Sequence, residues 1–300
     1  KMLEHENLFS HRMKLVNLIV NKQSLGNYFF IDGYSKYFIE ANKRRESVIV
    51  GYDKRPLFKT EIKSPTNFLN YELNALKFAP IETSQGTKPE KFAALENHGH
   101  DLLNKLQSGE AKISEITEYK DFAKIIAIKA LFGSGELDWR DMKFYVNPVT
   151  LKLELIGREI HTRPEIIPNE WWFIDPYRTI PDNQLLISYL SKDELFLESY
   201  IDALLKISNE EYLDQFFQKY DDDFQRIMNK TQYFENSKFI KSRLYDNAIY
   251  ISNKIKPQHQ ITIHNSFLTK ENNIKINISN IGEFPIRILC TDLDKKTKYC

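Results

Sequence analysis

Asp138, Asp141 and Glu159 are the residues whose types and spacing could do chemistry. They flank one short stretch, Leu137 to Glu159, which reads LDWRDMKFYVNPVTLKLELIGRE. Two β-prone runs, Lys143 to Val146 and Leu151 to Ile156, are joined by Asn147-Pro148-Val149-Thr150, where Asn and Pro supply the turn. An antiparallel pair brings its outer ends close together, so carboxylates about twenty residues apart in sequence converge on one place. A carboxylate that takes the proton of an attacking hydroxyl, beside two that hold a divalent cation, is the equipment of phosphoryl transfer. The plainer reading is a hairpin with a solvated, charged mouth, and spacing alone does not separate the two.

Two ordered blocks carry a resemblance. The first is Val16 to Asp53, with an apolar strand, an Asn-led turn, Leu25-Gly26-Asn27-Tyr28, then Lys43-Arg44-Arg45-Glu46 before another apolar strand; the second is the hairpin segment. In that order and separation they resemble the CotH kinase family, atypical bacterial spore-coat kinases and their envelope-associated relatives. Leu102 to Phe132 resembles the helical stretch before that family's catalytic loop, so the likeness covers roughly residues 3 to 255. It implies an ATP-dependent kinase acting on Ser or Thr hydroxyls of a protein, with Asp138 as base, Asp141 and Glu159 as Mg²⁺ ligands, and Lys36, Arg45 and Arg158 near the nucleotide phosphates. It also implies a spore-coat, cell-envelope or extracellular location, with a protein substrate or envelope protein as partner.

The departures bear on activity. The strand after Leu-Gly-x-Tyr ends in Ile31-Asp32-Gly33 rather than in several acidic residues, and the loop before Leu137 is Gly133-Ser134-Gly135-Glu136, without the family's His. Asp141 stands where the family has Asn. Without a cation, its charge opposes a phosphate by roughly 4 kcal/mol at about 4 Å in an effective dielectric near 20; with Mg²⁺ bound the sign reverses. Glu159 stands where the family has Asp and is one methylene longer, which octahedral Mg²⁺ tolerates poorly. The alternative to a working kinase is therefore a pseudokinase that serves as an envelope or cell-surface scaffold. A glycoside hydrolase would use the same paired carboxylates in an aromatic-lined sugar cleft; Trp139 and Trp171-Trp172 are the residues that admit it.

Composition limits other classes. Three hundred residues, 42% apolar and 28% charged, suffice for one large domain plus a small one. A net charge of +1 argues against a broad nucleic-acid footprint. No apolar run reaches the roughly eighteen residues of a membrane span. No signal peptide is visible, and Lys1 and Cys300 are read as falling inside elements, with sequence missing at both ends. Neither a GxGxxG loop nor a GKS P-loop occurs, so ATP is implied by the resemblance alone. Cys290 and Cys300 have no metal-ligand spacing, and His98 and His100 diverge on a helix.

The elements that must position the acidic residues follow from periodicity. Residues 3 to 13 read as a helix, Leu15 to Val20, Tyr28 to Ile31 and Val48 to Gly51 as strands, and Tyr34 to Lys43 as a helix. Residues 55 to 90, with four prolines, read as an irregular connection with short embedded elements. From Phe92 the period becomes helical: Leu95, Leu102 and Leu106 form one face, and Phe122, Ala123, Ile126, Ala127 and Ala130 another. Ile160 to Asn183, with Trp171-Trp172, reads as a long surface loop or lid. Residues 185 to 256 read as a helical subdomain, with capping boxes at Ser191-x-x-Glu194 and Ser208-x-x-Glu211 and an apolar face of Tyr212, Phe216, Phe217 and Tyr220. Beyond Pro257, alternating isoleucines at 261 and 263, at 274, 276 and 278, and at 286 and 288 predict the start of a small β-sandwich module over 257–300. The expected architecture is thus α+β, an atypical kinase-like domain over 1–256 followed by part of a β module.

Overall fold

The computed structural model describes residues 1–53, 77–81, 89–134, 142–158, 160, 189–231, 241–256, 261–268, 274–281 and 286. They form a mixed α+β structure with small antiparallel sheets, as the periodicity predicts. The central sheet runs in the order β4 (Lys77–Ile81), β3 (Ile49–Asp53), β5 (Lys143–Val146), β6 (Leu153–Leu155). Two further two-stranded ribbons pair β1 (Met13–Val20) with β2 (Gln23–Ile31) and β7 (Ile261–Leu268) with β8 (Ile274–Asn280).

Alternation along β3, β5 and β6 divides the central sheet into two buried faces. Val50, Tyr52, Phe144, Val146, Leu153 and Leu155 point to the main core; Ile49, Tyr145 and Ile156 join Phe9, Phe38 and Ile39 in a second, smaller one. Strands buried on both sides lose the apolar-polar alternation of a solvated sheet, which is why KFYV and LEL sit here with every residue buried.

Helices cover the first face. The helix α3 (Pro89–Ser108) crosses it at Gly99, where an added Cβ would stand 2.7 Å from Val146 Cγ2 and 3.1 Å from Val50 Cγ1, so the close approach requires glycine. Below a short helix α4 (Ile113–Ile116) lies α5 (Tyr119–Leu131), which buries Phe122, Ala123, Ile125 to Ile128 and Leu131. A helix apolar on most sides belongs at the centre of a core. Around it pack α6 (Glu194–Ile207), α7 (Glu210–Thr231) and α8 (Lys241–Ile255), which add Phe196, Tyr200, Leu213, Phe216, Leu244 and Ile251 to the same core as the sheet. The aromatic face of α7 is core, with Phe216 and Phe217 buried and Tyr212 and Tyr220 half-buried against it.

Several boundaries differ from the sequence reading for identifiable reasons. The expected helix over 3–13 is only α1 (Met2–His5): Asn7 turns left-handed at φ 55°, and Leu8 and Phe9 drop into separate cores. The helix expected over Tyr34 to Lys43 is α2 (Lys36–Ala41), begun by Ser35, whose hydroxyl accepts from the Phe38 N–H, and ended by Lys43 at φ 59°. Neither expected capping box forms. Asp193 caps α6 by accepting from the Leu195 and Phe196 N–H groups, and its other oxygen takes the Ser114 N–H at 2.7 Å. Asn209 caps α7, leaving Ser208 as the C-cap of α6. A carboxylate that serves two helices at once outcompetes a serine that could serve one.

Beyond 257, β7 and β8 pair with Ile263 opposite Ile278, although Ile261, Ile263 and Ile276 remain exposed. Cys290, Cys300 and the Trp171-Trp172 segment lie outside the described residues.

Candidate functional site

The hairpin expected from Lys143 to Ile156 is formed. Phe144, Tyr145 and Val146 pair antiparallel with Leu155, Glu154 and Leu153, and the Ile156 N–H donates to the Lys143 carbonyl at 2.9 Å. Its turn is held by Asn147, whose side-chain oxygen accepts from the Val149 and Thr150 N–H groups at 2.9 and 3.2 Å. At the open end, Gly157 makes a parallel bridge to Ser10 and donates its N–H to the Phe9 carbonyl at 2.7 Å. A Cβ on Gly157 would lie 2.9 Å from the Leu3 side chain, so the N-terminal segment clamps the strand that leads to Glu159. Asp138, Asp141 and Glu159 themselves lie outside the described residues.

The second face of the sheet carries charge as well as apolar packing. Lys143 is buried on β5 opposite Gly51, and a Cβ at position 51 would meet its Cδ at 2.6 Å and its Nζ at 2.9 Å; glycine is what lets the lysine lie across β3. Its ammonium donates to the Tyr52 carbonyl at 3.3 Å. Next along β5, the Tyr145 hydroxyl donates to the Arg45 carbonyl at 2.7 Å, and burial, with the Glu154 charge adding, pushes that phenol up to about 12.

Opposite Tyr145 stands Glu154, 3% exposed, gripped by Arg44 through Nε and Nη2 at 3.0 and 2.5 Å. Burial pushes the Glu154 carboxyl up and the guanidinium pulls it back, with the upward direction prevailing; Arg44 is held firmly protonated by the same bond. Arg44 also lies over the Phe9 ring and donates to the Asn42 carbonyl, so it is fully engaged. A matched buried pair of this kind is a structural clamp between the α2–β3 connection and the hairpin.

The three cations expected near phosphates sit at the edge of this face. Arg158 donates to the Tyr34 hydroxyl at 3.0 Å, where Tyr34 packs edge-on to His11 and Phe38. Lys36 is exposed and ion-paired with Glu40 at 3.7 Å and Glu46 at 3.6 Å, and Glu46 also takes Lys91. Arg45 is exposed, its backbone carbonyl serving Tyr145. Among the described residues, no three His, Cys, Asp or Glu side chains gather as a metal site, and no helix is long and apolar enough to cross a membrane.

Sequence reasoning missed Lys143 and the Arg44–Glu154 pair. A signal existed for both. In a strand whose neighbours are all apolar, a single Lys or Glu at an alternate position requires a buried partner, as LKLEL carries at Glu154. Arg44 was masked by its setting in Lys43-Arg44-Arg45, where three adjacent cations read as one solvated cluster.

The fold and site together define a class no narrower than an α+β protein built around an antiparallel hairpin. Compared with protein-family models and with curated proteins, the chain matches none of them.

Proposed function

We propose that this chain is a CotH-like protein kinase, transferring a phosphoryl group from ATP to a hydroxyl on a protein substrate at the cell envelope. The observation that carries this reading is the hairpin register. With the Ile156 N–H bonded to the Lys143 carbonyl, the chain positions leading to Asp141 and Glu159 leave the sheet side by side. Asp138 accepts the proton of the attacking hydroxyl. Asp141 and Glu159 offer the hard oxygen ligands that suit Mg²⁺, and the ion, when bound, neutralises charge on the transferring phosphate. Arg158, held by Tyr34 at the hairpin's exit, stabilises the nucleotide end, with Lys36 and Arg45 further out.

The second reading, a pseudokinase acting as an envelope or cell-surface scaffold, is favoured by one observation. Lys36 and Arg158 already have partners within the protein, so each must give up or share a contact to reach phosphate.

Calorimetry of ATP binding with and without Mg²⁺ separates the two. The kinase reading expects metal-dependent binding that is abolished in Glu159→Ala and retained in Asp138→Ala, which lacks only the base. Absence of binding under both conditions leaves the scaffold.

A further inference from the structure

His5 ends α1 among three aromatic side chains of α7. Its ring centroid lies 5.8, 5.6 and 5.8 Å from those of Tyr212, Phe216 and Tyr220, each pair edge-on. Its Nδ1 stands 3.4 Å from the Lys219 ammonium. An ammonium can only donate, so Nδ1 is the acceptor and the imidazole is neutral.

Ring faces attract cations, but here lysines already supply them. Lys1 and Lys219 lie over Tyr220 at 5.6 and 5.4 Å, and Lys206 lies over Tyr212 at 5.4 Å. The acids nearby are engaged as well. Glu6 accepts from Lys206 and from the Tyr212 hydroxyl, while Lys1 pairs with Asp223 at 3.0 Å and with Glu4 at 3.5 Å. Burial and then the Lys219 charge hold His5 below the ordinary histidine value, with Lys206 adding to them and Glu6 opposing.

The short helix that His5 ends connects two parts of the fold. Met2 is buried in the main core, and Leu3 packs on Gly157, directly before Arg158, which donates to the Tyr34 hydroxyl. Beyond α1, Asn7 turns left-handed at φ 55°, and Leu8 and Phe9 are seated in the two cores. Movement of α1 about Glu6 and Asn7 therefore uncovers Gly157 and leaves the rest of the segment in place.

We propose that α1 is a pH-gated strap: a proton taken from solvent turns His5 Nδ1 from acceptor to donor, sets it against the Lys219 ammonium, and lifts α1 off α7 and Gly157. The device stands whether or not the chain transfers phosphate. A histidine depressed in the folded state leaves stability intact above its ordinary pKa and loses it as pH falls through that value toward the folded one. Release thus belongs to mildly acidic pH. Glu6, itself held below the usual carboxylate range, keeps its grip on Lys206 there and tethers the opened strap.

Hydrogen–deuterium exchange on the full chain at about pH 7.5 and about pH 5.5, corrected for the intrinsic pH dependence of exchange, tests this. The amides of His5, Glu6 and Leu8, which close on the Lys1, Met2 and Leu3 carbonyls, should lose about tenfold in protection at the lower pH, the worth of roughly one hydrogen bond. Protection in α5 should not change. In His5→Phe, which keeps a ring in the cage but cannot take a proton, the amides of α1 should be equally protected at both pH values. Unchanged protection of α1 in the parent, a loss that persists in His5→Phe, or an equal loss in α5 would each overturn the proposal. Should His5→Phe fail to fold, Lys219→Met at an exposed position replaces it. Without the ammonium the acid loss should shrink, and a loss as large as in the parent overturns the strap.

Discussion

Two hairpins in this molecule begin from similar sequence and end in opposite surroundings. Both β1–β2 and β5–β6 are runs of β-prone residues joined at an asparagine, Asn21 in one and Asn147 in the other. Every residue of β5 and β6 is buried, whereas Met13, Ile19, Phe29, Phe30 and Ile31 of the first ribbon are each at least half exposed. The difference lies in what covers them. The β5–β6 hairpin has helices on one face and Phe9, Phe38 and the Arg44 clamp on the other; the β1–β2 ribbon reaches α7 through a bond from Asn27 to the Lys230 carbonyl. A hairpin is a local product, but its stability is a tertiary one.

The sharpest way to break this comparison is a matched pair of truncations. Phe144→Ala, in β5, should lower the unfolding free energy by about 3–5 kcal/mol in a denaturant titration, whereas Phe29→Ala in β2 should change it by no more than about 0.5 kcal/mol. Equal losses would mean that the first ribbon is packed in solution as tightly as the second.

Next in size is the clamp. Arg44→Met leaves the Glu154 carboxylate buried and unpaired and should cost about 3 kcal/mol or more, while the double change Arg44→Met with Glu154→Leu should recover most of that loss. A double variant as unstable as the single one would show that the site needs its charges for something other than pairing.

A smaller effect concerns pH and contrasts the sheet with the helical side. Burial alone would raise the Glu6 carboxyl, but hydrogen bonds from Lys206 and Tyr212 outweigh it and hold the group below the usual carboxylate range. A carboxyl depressed in the folded state adds stability that is fully present above its ordinary pKa and lost as pH falls through the folded value. Thermal unfolding followed from pH 7 into the acid range should therefore decline less steeply in Glu6→Gln than in the parent. Smallest is the turn itself: Asn147→Ala removes the acceptor for two N–H groups and should cost about 1 kcal/mol without altering the sheet.

Much of the scaffold around the proposed site was legible because its signals are local. The hairpin, α2 and α5 follow from alternation and from the 3.6-residue period, and each is present within a few residues of its expected span. Boundaries went astray where a distant partner intervened. Asp193 caps α6 because Ser114, far away in sequence, supplies a second donor. Phe9 leaves the expected helix because a core made by Phe38, Tyr145 and Ile156 receives it. The candidate site divides the same way: the acidic residues at the hairpin ends stand out by type and spacing, but Arg44 and Glu154 meet across 110 residues of sequence.

By itself the sequence determined the α+β class, the central hairpin and the kinds of residue at its mouth, because period and turn chemistry act over a few residues. Only the tertiary structure decided that Lys143 would lie across Gly51, that Arg44 rather than Arg45 would be committed to Glu154, and that an amide on α8 would rest on the exit of α5. Those outcomes depend on burial, and burial is set by which distant surfaces meet: a charge or amide carried into a low-dielectric interior must find its partner there, wherever in the chain that partner comes from.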